Sequence, residues 1–144
     1  MMGVELHTNR KKYLFLNSPQ MIFSRNPAVF FKAGSTSLYI CTSLNDNPNF
    51  CITSQPLELH KQSSVVIVQR TDNTDRTKYF WEVDVDGKRL IRIENKNPQY
   101  FRSVQVYNAN PWNTPASGTV RGLYYENWES SELYLFLLIS ESRF

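Results

Sequence analysis

The sequence predicts a single all-β domain, and three observations carry that prediction. Residues 79–93 read Tyr-Phe-Trp-Glu-Val-Asp-Val-Asp-Gly-Lys-Arg-Leu-Ile-Arg-Ile, an alternation of period two that breaks at Asp86-Gly87 and resumes beyond it. An Asp-Gly pair between alternating runs is a strong hairpin signal, because both central residues of the favoured tight turn need positive φ. The rest of the chain repeats this grammar, with short β-branched and aromatic runs separated by Asn, Asp, Pro, Gly and Ser. Finally, no segment holds a helical period over three turns.

Taken in order, residues 1–12 are polar and read as a flexible N-terminal arm. Tyr13 to Leu16, Met21 to Ser24 and Ala28 to Lys32 are strand candidates, closed by Asn17-Ser18-Pro19, Arg25-Asn26-Pro27 and Gly34. Leu38 to Thr42 and Phe50 to Thr53 are predicted partners across the dense turn signal Asn45-Asp46-Asn47-Pro48-Asn49. Leu57 to Leu59 alternates briefly. Val65 to Val68 is a continuous apolar run of the kind buried on both faces. Thr71 to Thr77 is a polar connection leading into the 79–93 hairpin, in which Trp81, Val83 and Val85 share the buried face. Tyr100 to Tyr107 follows the turn at 95–98. Asn108 to Gly118 is a long loop with Pro111, Trp112 and Pro115, and Val120 to Tyr125 and Leu133 to Ser140 close the chain.

At 144 residues the chain is expected to be one domain, residues 1–144. Hydrophobic residues at 41% argue against disorder from low hydrophobicity. A net charge of +3 from 16 basic and 13 acidic residues is an ordinary solubility balance and argues against a nucleic-acid binder, whose basic residues would cluster. Arg10-Lys11-Lys12 is the nearest approach to such a cluster, and a solvated terminus explains it equally. Glu5 and the same basic run occupy the place where a secretory leader needs its apolar stretch, so leaderless export or a cytoplasmic location is expected. No window approaches the roughly 18 apolar residues of a membrane span. Cys41 and Cys51 lie equidistant from Asp46 and can face one another across a hairpin. Free buried thiols are the expectation for a leaderless chain, with a disulfide as the alternative.

About eleven or twelve short strands at spacings near ten residues fit a sandwich or a closed barrel. Lys32-Ala33-Gly34 before Leu38-Tyr39-Ile40, and Val85-Asp86-Gly87 before Leu90-Ile91-Arg92, form a coarse repeat of about fifty residues, which favours a threefold β-trefoil over a two-sheet sandwich.

Three stretches then resemble the interleukin-1 family of β-trefoil cytokines. Leu38 to Phe50 resembles that family's central hairpin, and Val65 to Arg70 resembles the strand after it, ending in Gln-Arg as in the interleukin-18 branch. Trp81-Glu82 through Gly87 to Leu90-Ile91 is similar to the family signature, with Val83 in place of its Ser. The resemblance covers residues 38–93. It implies a β-trefoil cytokine or receptor antagonist, monomeric, whose arm and loops bind an immunoglobulin-like receptor ectodomain. Another trefoil, a lectin or a protease inhibitor, is the alternative reading, as is a viral or intracellular protein-interaction module.

The residues point to binding rather than catalysis. His7 and His60 stand in no metal-ligand spacing with each other or with a cysteine. A Cys-His nucleophile pair using His60 competes poorly with a buried thiol. Neither a phosphate-cradling glycine loop nor a Gly-x-Ser-x-Gly motif occurs, so no enzyme activity and no cofactor are expected. Asp84 and Asp86 sit two apart beside Gly87 and read as turn residues rather than an acid/base pair. Phe30, Phe31, Tyr39, Phe80, Trp81, Tyr124, Tyr125, Tyr134 and Phe136 lie in apparent strands and are mostly assigned to the core. Candidate partner-binding residues are Arg10, Lys11 and Lys12 on the arm, Asp72, Asp75, Arg76 and Lys78 on the polar connection, and Trp112 in its Pro-flanked loop. Trp is enriched among interface anchors, and Trp128 is a second such position.

Overall fold

The computed structural model describes residues 3–8, 27–98, 104–108, 118–128 and 132–141. Its strands are β1 (Gly3–Thr8), β2 (Ala28–Phe31), β3 (Ser37–Leu44), β4 (Asn47–Pro56), β5 (Ser63–Thr71), β6 (Tyr79–Val85), β7 (Lys88–Asn95), β8 (Val104–Asn108), β9 (Gly118–Trp128) and β10 (Glu132–Glu141). They form two five-stranded sheets, β4-β3-β2-β1-β8 and β7-β6-β5-β10-β9, with every pairing antiparallel. Among the described residues no helix is long and apolar enough to cross a membrane.

The all-β class therefore holds, while the trefoil topology is not confirmed. The described strands make two open sheets rather than a closed barrel, and one core is shared between them. Val29, Phe31, Leu38 and Ile40 come from the first sheet, and Val65, Ile67, Trp81, Val83 and Leu135 from the second. This is the sandwich alternative. The fifty-residue repeat has a simpler cause: Gly34 (φ 65°) and Gly87 (φ 74°) both serve turns that need a left-handed residue, one in each sheet.

The hairpin at Asp86-Gly87 forms as its sequence dictates. Asp86 (φ 50°) and Gly87 are the two positive-φ residues between β6 and β7, and Asn45 (φ 49°) and Asp46 (φ 63°) do the same between β3 and β4. Asp86 also locks the turn onto the neighbouring strand, because its Oδ1 accepts from the Ser64 amide at 2.9 Å and its amide donates to the Ser64 carbonyl at 2.9 Å. Trp81 and Val83 are buried and Val85 packs on the same core. The run at 65–68 is the middle of β5, which lies between β6 and β10: Val65 and Ile67 enter the core, and Val66 and Val68 lie on the outer face, flanked by side chains of both neighbouring strands.

Three details depart from the sequence reading. Instead of a free arm over residues 1–12, Gly3–Thr8 is a strand between β2 and β8; Val4 and Leu6 alternate with Glu5 and His7, a signal only four residues long, and partners from distant segments supply the pairing. Cys41 and Cys51 are bridged rather than free. They are direct cross-strand partners with Cα atoms 4.1 Å apart, a separation that register imposes before any redox chemistry. Leu57 to Leu59 is not a strand. The strand candidates at 13–16 and 21–24 lie outside the described residues.

Polar side chains tie the two sheets at one end. Asn45 Nδ2 donates to the Glu94 carbonyl at 2.8 Å, the Lys96 amide donates to Asn45 Oδ1 at 2.7 Å, and Asn97 Nδ2 donates to Asp46 Oδ1 at 2.7 Å. Beneath this seam the buried Asn95 donates to Gln69 Oε1 at 2.7 Å, so the polar end of the core is hydrogen-bonded rather than left bare.

Candidate interaction surface

The outer face of the second sheet is built from the side chains that period-two alternation turns away from the core. On β6 these are Phe80, Glu82 and Asp84, opposite in sense to Trp81, Val83 and Val85. The register sets Glu82 between Val68 of β5 and Arg92 of β7, and Asp84 opposite Arg89. Arg70, one step along β5, reaches the same carboxylate.

Glu82 is the hub. Its side chain is 7% exposed, yet it accepts from Arg70 Nη2 and Arg92 Nε at 2.9 Å each, with Arg89 Nη2 at 3.4 Å. Arg92 also donates to Asp72 at 2.9 Å, and Arg89 Nε pairs with Asp84. Three guanidiniums thus face three carboxylates, so the patch carries no net charge while each arginine is held by two or more fixed partners or by Glu82 alone. The Arg92 guanidinium carbon stands 3.5 Å from the centre of the Phe80 ring, which fixes its plane by cation–π attraction. The Asp84 bond raises the Arg89 pKa above its usual value, against an opposing effect of burial and with a smaller push from the Glu82 charge.

Beside this network lies an apolar strip. Leu133, Leu135, Leu137 and Ile139 of β10 enter the core, and Tyr134, Phe136 and Leu138 alternate outward, half-buried, next to Val66 and Val68 of β5. Tyr124 of the adjoining strand makes an edge-on ring contact with Tyr134 at 5.9 Å and is 51% exposed. Its hydroxyl donates to Glu126 at 2.7 Å, and that bond holds the phenolic proton and raises its pKa above 10. The expectation that the strand aromatics fill the core holds for Phe30, Phe31 and Trp81; it is corrected for Phe80, Tyr134 and Phe136, which alternate outward from buried neighbours, and for Tyr39 and Tyr124, which are exposed.

The sequence-predicted partner residues fall in different places. Asp72, Asp75, Arg76 and Lys78 are together on the β5–β6 connection, closed by the Asp72 amide on the Lys78 carbonyl at 2.9 Å and the Lys78 amide on the Asp75 carbonyl at 3.1 Å. Asp72 joins this loop to the hub through Arg92, whereas Arg76 and Lys78 are exposed beside it. Arg10, Lys11, Lys12 and Trp112 lie outside the described residues, and the Trp128 side chain is not among those described. Asp84 and Asp86 do not form a carboxylate pair, since one faces Arg89 and the other caps the turn. Sequence reasoning passed over Glu82, Arg70, Arg89 and Arg92. The usable signal was the Asp86-Gly87 turn, whose register alone sets 82 against 92.

The loop carboxylates carry a pH dependence. The Thr74 hydroxyl, with help from Arg92, lowers the Asp72 pKa below 3.8, and the Thr77 hydroxyl and amide do the same for Asp75. A folded-state pKa below the unfolded one contributes stability above the ordinary carboxylate range and loses it as pH falls through the folded value. Urea midpoints measured against pH should therefore drop below about pH 4, and the paired change Asp72→Asn with Asp75→Asn should flatten that drop.

Among the described residues no group of three or more His, Cys, Asp or Glu is placed to hold a metal ion. No family model, curated protein or solved structure shows significant similarity to this chain. The class its architecture defines is a two-sheet, all-antiparallel β domain with a disulfide across one hairpin.

Proposed function

We propose that this chain is a protein-recognition domain that binds a protein partner through the outer face of its second sheet. The observation that carries this reading is the pre-set arginine and aromatic patch: Arg92 stacked on Phe80 and anchored on Glu82 and Asp72, beside the strip of Tyr134, Phe136 and Leu138. Aromatic residues and arginine are the types enriched in interfaces and among their hot spots. Holding them before contact reduces the ordering cost of binding. The Cys41–Cys51 bridge suits an oxidising compartment and so favours an extracellular site of action over a cytoplasmic one.

An immunoglobulin-like receptor ectodomain is the partner suggested by the resemblance to interleukin-1 cytokines. That likeness presupposes a trefoil, so its support is limited to the hairpins of residues 38–93, and the broader reading of a protein partner rests on the face itself. The lectin and inhibitor alternatives depended on Trp112 and Trp128, and no described side chain favours them.

Surface plasmon resonance against interleukin-1-type receptor ectodomains tests the proposal. Micromolar or tighter binding is expected, weakened at least about ten-fold by Arg92→Ala or Phe136→Ser, the loss typical of an interface anchor. Absence of binding to every ectodomain would remove the receptor reading. Binding that both substitutions leave unchanged would remove this face as the contact surface.

A further inference from the structure

The sandwich has four edge strands among the described residues, and they are not equally defended. β7 carries Lys88, Arg89 and Arg92, and β4 is bracketed by Pro48 and Pro56 and bridged by Cys51; charge and proline are the usual guards against edge pairing. β8 is five residues long. β9 is the longest of the described strands at 11 residues, and its described neighbour is β10 on one side alone. Two large apolar residues adjacent on it, Leu123 and Tyr124, are 38% and 51% exposed. An edge of this length with no second neighbour among the described residues is a template for another strand.

We propose that β9 pairs antiparallel with β9 of a second copy of this chain, joining the two second sheets into one continuous ten-stranded sheet. The argument is charge complementarity read from register. Through β10, Glu126 lies opposite Tyr134, Tyr124 opposite Phe136 and Arg121 opposite Leu138, with the extra residue of the β-bulge taken up at Gly122-Leu123. Glu126, Tyr124 and Arg121 are therefore successive positions on the outer face. A two-fold axis through Tyr124, perpendicular to the sheet, sets Tyr124 against its own counterpart. The same axis sets Glu126 of each copy against Arg121 of the other, giving two opposite-charge pairs from one strand.

Other registers lose this match. An axis through Glu126 opposes two carboxylates, and one through Arg121 opposes two guanidiniums. An axis through the neighbouring inward positions leaves both charges facing uncharged residues. Directly opposed unlike charges support strand pairing and like charges oppose it, so the β9 sequence favours the one register that an isologous contact can close. Gly122 (φ 57°) takes the left-handed conformation where the bulge sits, and the proposed register sets position 125 of each copy against Gly122-Leu123 of the other. This inference is independent of the partner proposed above; its consequence is that two copies of the Phe136 strip lie side by side on one surface.

Sedimentation equilibrium of the full chain tests it. The wild type is expected to be a dimer at about 100 µM, a concentration suited to a modest interface. Arg121→Glu and Glu126→Arg should each raise the dissociation constant at least about ten-fold, since either creates two like-charge pairs per dimer. The double swap, which restores opposite charges, should return the dimer. A wild type that stays monomeric at that concentration, or a dimer insensitive to both reversals, overturns the proposal. Should a reversal prevent folding, amide exchange on the wild type decides: the β9 amides should slow as concentration rises, and exchange independent of concentration is the contrary result.

Discussion

Trp81→Ala is expected to lower stability by about 3–5 kcal/mol, the range for removing a large buried aromatic, read as a fall in the urea midpoint with little change in slope. Trp81 is 3% exposed and stands in register between Gln69 of β5 and Ile93 of β7. Its ring meets Phe50 edge-on, with centroids 5.9 Å apart and planes at 86°. Phe50 belongs to the first sheet, so this contact spans the sandwich and its loss opens a cavity where the two layers meet. Total stabilities of about 5–15 kcal/mol are usual for domains, so the variant should sit near its unfolding threshold at room temperature. A change below about 1 kcal/mol would mean that the core can collapse around the missing ring.

Glu82→Ala should be the second largest effect, and it should depend on salt. Removing one partner of a buried ion pair leaves uncompensated charge, with a usual cost of about 3–5 kcal/mol. Here the three arginines keep 40–49% of their side-chain surface exposed, so water screens part of the repulsion and about 1–3 kcal/mol is the expected loss. Arg70, Arg89 and Arg92 then converge on an empty centre, and raised salt should recover part of the loss by screening them. Urea midpoints of wild type and variant at low and high sodium chloride provide the check. A midpoint that neither the substitution nor the salt moves would show that Glu82 does not organise the face.

Much of this fold is legible in the sequence where local chemistry decides it. Asp86-Gly87 and Asn45-Asp46 specify two tight hairpins, and alternation alone predicts that Trp81 and Val83 point inward. The Val65–Val68 run predicts a central strand because its outward residues, Val66 and Val68, are sheltered only where side chains of a neighbouring strand flank them on each side. Long-range order is where legibility ends. That β5 pairs with β10, and β1 with β8, joins residues as distant in sequence as Ile67 and Leu135 or Leu6 and Val106, and no local preference encodes it. The trefoil expectation arose from two glycine turns of like chemistry, which turn geometry produces in any hairpin. The outer face was half legible: the hairpin register opposes Glu82 to Arg92 and Asp84 to Arg89, whereas the approach of Arg70 depends on β5 docking beside β6. The aromatic residues misled because Phe80, Tyr124, Tyr134 and Phe136 look alike in composition whether they face the core or the surface, and their parity relative to buried neighbours is what separates the two.

The placement of β5 between β6 and β10 brings the Arg92–Phe80 patch and the Phe136 strip onto one face, and nuclear Overhauser contacts between backbone protons test that placement most directly. Cross-strand contacts are predicted from Ile67 to Val83 on one side and from Ile67 to Leu135 on the other. Contacts from Ile67 to Val83 with none to β10, or with a strand of the first sheet in its place, would contradict the second sheet and the recognition face built on it.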